Sequence, residues 1–298
     1  MSNAPKVSVC VATYKQEAYI RECLQSIVSQ ETKFAFEVLV GDDCSPDNTR
    51  SVIEEFVRRY PEKVRAVFQT ANVGATNNYQ CVQNLASGEY ICACDGDDYW
   101  LPGKLQHQVG FMDGNPEVVQ TWHRQFVVNA QSQIIAKFPK RFPKSVFGGP
   151  LRFHDLACSY GLVGQHSSQM MRRSACLIRE RDRFTIDYFY ALDIASHGHS
   201  VHLPGFWGCY RSLPGGSITN TQKGRDEVDI ALLDVVDHFS PRFPETRSAF
   251  GANLIVRSLG AYFRKRKHWR SLLQVGRQLP FSVTLFLRSL RVFLLHRL

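Results

Sequence analysis

Residues 89–98 read EYICACDGDD, an apolar run that stops abruptly on three carboxylates within four positions. The run has the length of a buried strand and no helical spacing. The same grammar repeats upstream. VSVCVAT at 7–13 precedes Ile20, Cys23, Leu24, Ile27 and Val28 at helical intervals. FEVLVG at 36–41 leads through the polar turn CSPDNT to Val52, Ile53, Phe56 and Val57, and VRAVFQ at 64–69 leads to a helix near 75–86. Four strands alternating with three helices predict an α/β fold, with a mostly parallel, doubly wound sheet flanked by helices. Ligands of such sheets gather at the carboxyl ends of the strands. The polar residues stand there: Thr13 and Tyr14 after the first strand, Asp42 and Asp43 after the second, Asn72 and Gly74 after the third, and Asp95, Asp97 and Asp98 after the fourth.

Three carboxylates so close repel one another unless a cation offsets them. Hard oxygen ligands of this kind suit Mg²⁺ or Mn²⁺, which keep open positions for phosphate oxygens. A calcium loop of the EF-hand type is excluded by Gln106 at its twelfth position and by the strand that precedes it. Neither G-x-G-x-x-G nor G-x-x-x-x-G-K-[ST] occurs, so a dinucleotide cradle and a P-loop are both absent.

Three segments, VSVCVATYKQEAYIRECLQSIVSQ, GDDCSPDNT and GEYICACDGDDYWLPGKL, occur in order at strand ends. Together they resemble family 2 glycosyltransferases of the GT-A fold, over residues 7–113. The resemblance implies a metal-dependent transfer of a sugar from a nucleotide-diphosphate sugar, with Mn²⁺ or Mg²⁺ as cofactor. It sets Ala12 and Tyr14 against the nucleotide base, Asp43 as an acceptor of a hydrogen bond from that base, Asp97 as the metal ligand and Asp95 in support of nucleotide or sugar. Asn72 opens an N-x-G segment of the family's kind, although Asn77 stands where many members carry Arg. The family's base is an acid before an apolar helix and a Gly turn. Tyr190–Gly198, YALDIASHG, fits best and nominates Asp193, with Asp187 as its competitor. Cys209–Ser217, CYRSLPGGS, resembles the loop that covers the site, with Leu213 in place of its His, and Arg211 is expected either to hold the donor or to serve the structure. An acid base opposite the leaving group implies inversion at the sugar.

The bare sequence leaves His166, in GQHSS, as a cleft-lining or packed side chain with no catalytic role. Cys92 and Cys94 lack partners at zinc spacing and read as core thiols. Nine cysteines without a C-x-x-C pair point to a reducing compartment.

The chain has 298 residues, 44% of them hydrophobic and 21% charged, which excludes a disordered or fibrous protein. The net charge of +9 is unevenly spread. After Glu245 eleven Lys and Arg meet no acid, leaving 25 basic against 27 acidic side chains before it. Residues 1–220 are expected to form the catalytic domain, its nucleotide-sugar half at about 1–115 and its acceptor half at about 116–220, with 221–298 a basic helical extension. In 281–298, Val283, Phe286, Leu287, Leu290, Phe293 and Leu294 form one stripe opposite Thr284, Arg288 and Arg291, with Arg264–Lys267 upstream. That pattern fits either an interfacial helix on an anionic membrane surface or a helix packed on protein. Its arginines interrupt it too often for a spanning helix. The expected setting is cytoplasmic and peripheral at the inner membrane face, the expected partners are a nucleotide-diphosphate sugar and a saccharide or lipid-linked acceptor, and no nucleic-acid reading motif is present. The contrasting expectation is an inactive nucleotide-sugar-binding scaffold. A sugar-phosphate nucleotidyltransferase would need a Gly-rich basic N-terminal loop that is missing.

Overall fold

The computed structural model describes residues 4–139, 149–176, 186–213, 221–264 and 268–295. The first half follows the expected alternation: β1 (Val7–Thr13), α1 (Ile20–Val28), β2 (Phe36–Asp42), α2 (Thr49–Arg59), β3 (Val64–Phe68), α3 (Ala75–Gln83) and β4 (Tyr90–Asp95). After a short β5 (Tyr99–Trp100) come α4 (Lys104–Asp113), β6 (Val118–Val128), β7 (Ile134–Phe138), β8 (Pro150–Leu151), α5 (Phe153–Cys158), β9 (Met170–Arg172), α6 (Asp187–Ala195) and β10 (His199–Arg211). Four helices close the chain: α7 (Gln222–Phe239), α8 (Arg247–Phe263), α9 (Trp269–Gln278) and α10 (Val283–Leu295).

One sheet runs through the molecule in the order β3-β2-β1-β4-β9-β6-β10-β5, with β7 on β6 and β8 on β10. Strands β1 to β4 are parallel, and β9 is antiparallel to both β4 and β6, so β6 again points the same way as β4. The alternation along β1 explains the layering. Val7, Val9 and Val11 face α1, α2 and α4 through Leu24, Ile53 and Leu105, while Cys10 faces the other side with Ile91, Val82 and Ile194. Covered on both faces, these strands read as unbroken apolar runs.

Two features differ from expectation. Strand β10 is thirteen residues long and crosses Pro204-Gly205. Its pairing with β6 shifts register between Leu203 and Phe206 and again before Gly208, so the Pro-Gly pair is absorbed by an irregularity instead of ending the strand. Cys209–Arg211, expected in a loop, therefore end that strand, while Pro214–Ser217 lie outside the described residues. The closing helices also share a core with the rest. Leu232, Val235, Phe250, Leu254, Leu272 and Val292 pack in one cluster with Trp122, Leu156, Tyr188 and Phe189. Asn253 of α8 donates to the carbonyl of Ala157 at 3.3 Å and to the Tyr188 hydroxyl at 3.0 Å, and Arg288 of α10 pairs with Asp155 at 2.7 Å.

That shared core has a measurable consequence. Leu272 is fully buried, so Leu272→Ala should cost about 2–5 kcal/mol and lower the single unfolding transition of the whole chain. A separate early transition in calorimetry, with the main one unmoved, would make the closing helices an independent unit.

Candidate active site

The ends of β1, β2 and β4 are held together by their own backbone. The Ala12 carbonyl accepts the Gly96 N–H at 2.9 Å and the Thr13 carbonyl accepts the Asp43 N–H at 3.0 Å. Gly96 fits because a Cβ there would strike Thr13 and Gln16. The segment after β2 then ties down the segment after β1. Ser45 Oγ accepts the Lys15 N–H at 3.0 Å, Thr49 Oγ1 the Gln16 N–H at 2.9 Å and Asp47 the Glu17 N–H at 3.2 Å, while Glu17 accepts the Asn48 N–H at 2.9 Å. Tyr14 is left 40% exposed above this platform, with Lys15 Nζ 5.1 Å from its ring centre.

Asp42 and Asp43 divide their labour. Asp42 is a turn former: its carboxylate accepts the Ser45 N–H and hydroxyl. Asp43 is buried and accepts the Val73 N–H at 2.7 Å and the Gly74 N–H at 3.0 Å, and Asn72 Nδ2 donates to its carbonyl at 3.3 Å. Gly74, at φ 86°, supplies the left-handed turn that lets both amides point at one carboxylate before α3 begins. Ala12, Tyr14, Asp43 and Asn72 thus sit on one rim at the strand ends.

The elbow after β4 concentrates charge. Asp98 is buried and accepts the Arg211 backbone N–H at 2.7 Å and the Ser167 hydroxyl; burial and its acidic neighbours push its carboxyl well up. Asp97 is half-buried, and burial together with the charge of Asp95 raises it to about 6, against some help from Arg211 and Gln16. Asp95 faces His166, whose Nδ1 lies 3.2 Å from its Oδ1. Burial opposes charge on His166, but Asp95, with Asp187 and Asp98 beyond, outweighs it and lifts the imidazole to about 9, so His166 is a cation at neutral pH. Tyr79 backs the imidazole edge-on at 4.7 Å.

Two candidates stand apart from the rim. Arg211 does not reach toward a donor. Its guanidinium is fully buried, with Nε on the Asp97 carbonyl at 2.8 Å, Nη1 on the Asn129 carbonyl at 2.9 Å and Nη2 on Glu22 and Ser132, between the rings of Tyr19 and Tyr99. It pins the elbow to β10 and to the end of β6. Asp193 is the second. Helix α6 runs away from the elbow: the residues after it meet the start of β6, where the His199 N–H bonds the Glu117 carbonyl at 2.8 Å. Asp193 lies six residues down the helix, about 9 Å along its axis, and its charge is felt by Cys176 at the amino end of the sheet. Asp187, at the helix start, interacts with His166 and Asp95. It keeps an exposed surface, yet surrounding protein raises its carboxyl, and Asp95 adds to the rise. The structure therefore brings Asp187 to the elbow and leaves Asp193 remote.

Among the described residues no group of three or more His, Cys, Asp or Glu forms a self-sufficient metal cage. The elbow fits a different mode. Carboxyls whose charge is disfavoured by one another gain from a dication, and a small oxygen-loving ion held by one carboxylate retains positions for phosphate and water. His166, Asp187 and Asp98 are the residues that sequence reasoning undervalued. Asp98 carried a local signal in the acidic run and Asp187 in its place beside the nominated Asp193, whereas His166 carried none.

A family model described as glycosyl transferase family 2 matches residues 8–176. An uncharacterized protein of Mycobacterium tuberculosis is 38% identical over 134 residues, 45% of this chain and 39% of that one. The putative teichuronic acid biosynthesis glycosyltransferase TuaG of Bacillus subtilis is 32% identical over 108 residues, 36% of this chain and 42% of that one. The chain thus spans about two fifths of the length of these relatives. In structure it resembles the mannosyltransferase PcManGT of Pyrobaculum calidifontis, solved with GDP-Man and Mn²⁺, at TM-score 0.60 and 17% identity, over 98% of this chain and 87% of that one. At that identity the likeness is one of fold.

The pin formed by Arg211 can be tested by stability alone. Arg211→Met keeps the apolar stem but leaves the Asp97 and Asn129 carbonyls without their donor, which should cost about 3 kcal/mol. Urea denaturation with less than about 0.5 kcal/mol of loss would show that the guanidinium is dispensable to the fold.

Proposed function

The chain belongs to glycosyl transferase family 2, and on that premise we propose that it is a metal-dependent, inverting glycosyltransferase. It moves a sugar from a nucleoside-diphosphate sugar to a hydroxyl of a saccharide or lipid-linked acceptor in surface polysaccharide synthesis. The observation that carries this reading is the elbow itself: a raised Asp97 beside an Asp95–His166 ion pair, with Asp187 on the far side. The GDP-Man and Mn²⁺ of the Pyrobaculum enzyme and the teichuronic acid role in the name of the Bacillus relative support the donor class and the pathway class.

Asp97 would hold Mn²⁺ or Mg²⁺, and the ion when bound would supply positive charge against a departing nucleoside diphosphate. The chain's own residues do the rest. Ala12 and Tyr14 border the base, Asn72 holds the rim, and Asp43 retains lone pairs beyond the two amides it already accepts. His166, as a cation, neutralises Asp95, so an anionic donor does not meet an unscreened acidic elbow. Asp187 takes the proton of the acceptor hydroxyl at its carboxylate; a raised carboxyl is better matched to that task than an ordinary one. Attack from its side, opposite the diphosphate, inverts the sugar carbon. Arg211 contributes indirectly, by holding the Asp97 carbonyl.

The reading includes a peripheral membrane location at the cytoplasmic face. Helix α10 turns Phe286, Leu290 and Phe293 partly inward and leaves Val283, Leu287 and Leu294 exposed beside the exposed Arg288 and Arg291. Lys265 to Lys267, the rest of the upstream basic cluster, lie outside the described residues. No helix among the described residues is long and apolar enough to cross a membrane. Basic side chains near anionic lipid contribute about 1 kcal/mol each, which together with three inserted aliphatic groups supports attachment.

Two measurements test the chemistry. Asp187→Asn should lower transfer 10²- to 10⁴-fold while donor binding persists, as removal of a general base does, whereas Asp193→Asn should stay within about threefold. The opposite ranking would return the base to Asp193, and donor uptake without turnover by the unmodified chain would make it a binding scaffold. Metal affinity should also depend on pH. Because a proton competes for Asp97, Mn²⁺-dependent binding of nucleoside diphosphate should be level above pH 7 and weaken as pH falls through about 6, by up to tenfold per unit. Calorimetry showing equal affinity at pH 5 and pH 8, or unchanged affinity in Asp97→Ala, would remove Asp97 as the ligand.

A further inference from the structure

A cavity of about 320 Å³ lies between the sheet side of the molecule and its closing helices, at the small end of the range for ligand pockets. Tyr160 and Gln165 line it from the front, Asn253 and Val256 of α8 and Ser289 of α10 from the back, and Asp187 stands in its wall. Since Asp187 also interacts with His166 and Asp95, cavity and elbow meet at one carboxylate. The back wall holds two buried polar side chains with unused bonding capacity. The Tyr188 hydroxyl gives its one proton to the Leu156 and Ala157 carbonyls, so it can only accept from Asn253, and the Ala157 carbonyl can only accept as well. Both contacts demand the amide nitrogen of Asn253. Its Oδ1 is therefore left as an acceptor with no partner among the described residues, in a side chain only 4% exposed. Ser289 is 1% exposed, and its hydroxyl makes no hydrogen bond among the described residues. Val256, equally buried, adds an aliphatic surface to the same wall. Buried polar atoms without partners are costly, and a ligand that answers them recovers that cost. One acceptor, one hydroxyl donor and one aliphatic patch are the complement of an N-acetyl group, with its N–H, its carbonyl and its methyl.

We propose that this cavity is the acceptor subsite and that Asn253, Ser289 and Val256 recognise the acetamido group of an N-acetylated acceptor sugar. The assignment rests on Asp187 being the base of a glycosyl transfer, toward which the attacked hydroxyl of that sugar lies. The acetamido N–H donates to Asn253 Oδ1, its carbonyl accepts from the Ser289 hydroxyl, and its methyl meets Val256. A hydroxyl in the same place is too short to reach both polar atoms and leaves the aliphatic patch uncovered. A site built to bond a polar substituent discriminates against the analogue that lacks it.

The test compares the methyl glycosides of N-acetylglucosamine, N-acetylgalactosamine and N-acetylmannosamine with those of glucose, galactose and mannose, both anomers of each. Binding is read by ligand-observed NMR titration on the full chain, with UDP or GDP and Mn²⁺ present. Wild type should bind at least one acetamido glycoside about tenfold more tightly than its hydroxyl counterpart. Ser289→Ala removes a hydroxyl that bonds no described residue, and Val256→Ile fills the place of the acetamido methyl. Each should cut the preference to about threefold or less, with the hydroxyl glycoside shifted by less than about twofold. A wild type that binds no acetamido glycoside, or binds it no more tightly than its counterpart, overturns the proposal. So does a preference that survives either variant, which would seat the acetamido group elsewhere, the donor site included. Variants that lose both kinds of glycoside alike, with a lowered melting temperature, would reduce these residues to wall support and also overturn it. The underlying reading fails by different signs: full transfer by Asp187→Asn, or no Mn²⁺-dependent uptake of any UDP-sugar or GDP-sugar by wild type, would sink the base or the transferase.

Discussion

Three carboxylates in four residues repel, and the local architecture is arranged around that repulsion. Asp98 is drawn under the elbow by the backbone N–H of Arg211 and by Ser167, Asp95 is answered by His166, and Asp97 is left partly exposed with its carboxyl raised. The compensating groups arrive from far along the chain: His166 from the turn before β9 and Arg211 from the end of β10. The sheet must therefore be complete before the elbow is electrostatically tolerable. Closure of β10 onto β6 fixes the elbow as much as β4 does.

The same arrangement separates two kinds of work. Groups that are buried and tied by hydrogen bonds, Asp98 and Arg211, hold geometry. Charge that is partly answered, at Asp97 and Asp187, is available to a cation or a proton. Burying the Arg211 guanidinium against carbonyls, with the Asp98 carboxylate on the Arg211 N–H, leaves few ways for the elbow to relax and holds Asp97 in place.

Much of this was legible in the sequence, and the limits have physical causes. Strands β1 to β4 announce themselves because both faces are covered, so each reads as an apolar run ending in polar residues. Tyr14, Asp43 and Asn72 follow from strand ends, while Ala12 comes only from the family resemblance. Strand β10 was hidden by Pro204 and Gly205, which ordinarily end a strand but here fall in a register shift. Asp193 was preferred on local pattern, yet a helix has two ends, and only the packing of α6 shows that Asp187 is at the end near the elbow. Arg211 looked available for a ligand because its neighbours in sequence give no hint of the Asn129 and Asp97 carbonyls that consume its donors. His166 was discounted for the same reason: its partner lies 71 positions earlier.

The shared core between α5, α6 and the closing helices carries a consequence for how such proteins diversify. The stretch matched by the family ends at residue 176, ahead of every helix that backs the cavity. The matched stretch and the helices that back the cavity are thus encoded in separate lengths of chain that meet only after folding. Exchange of the rear length between related proteins would be tolerated by the fold only where the grafted helices still bury their seam against Tyr188 and Phe189.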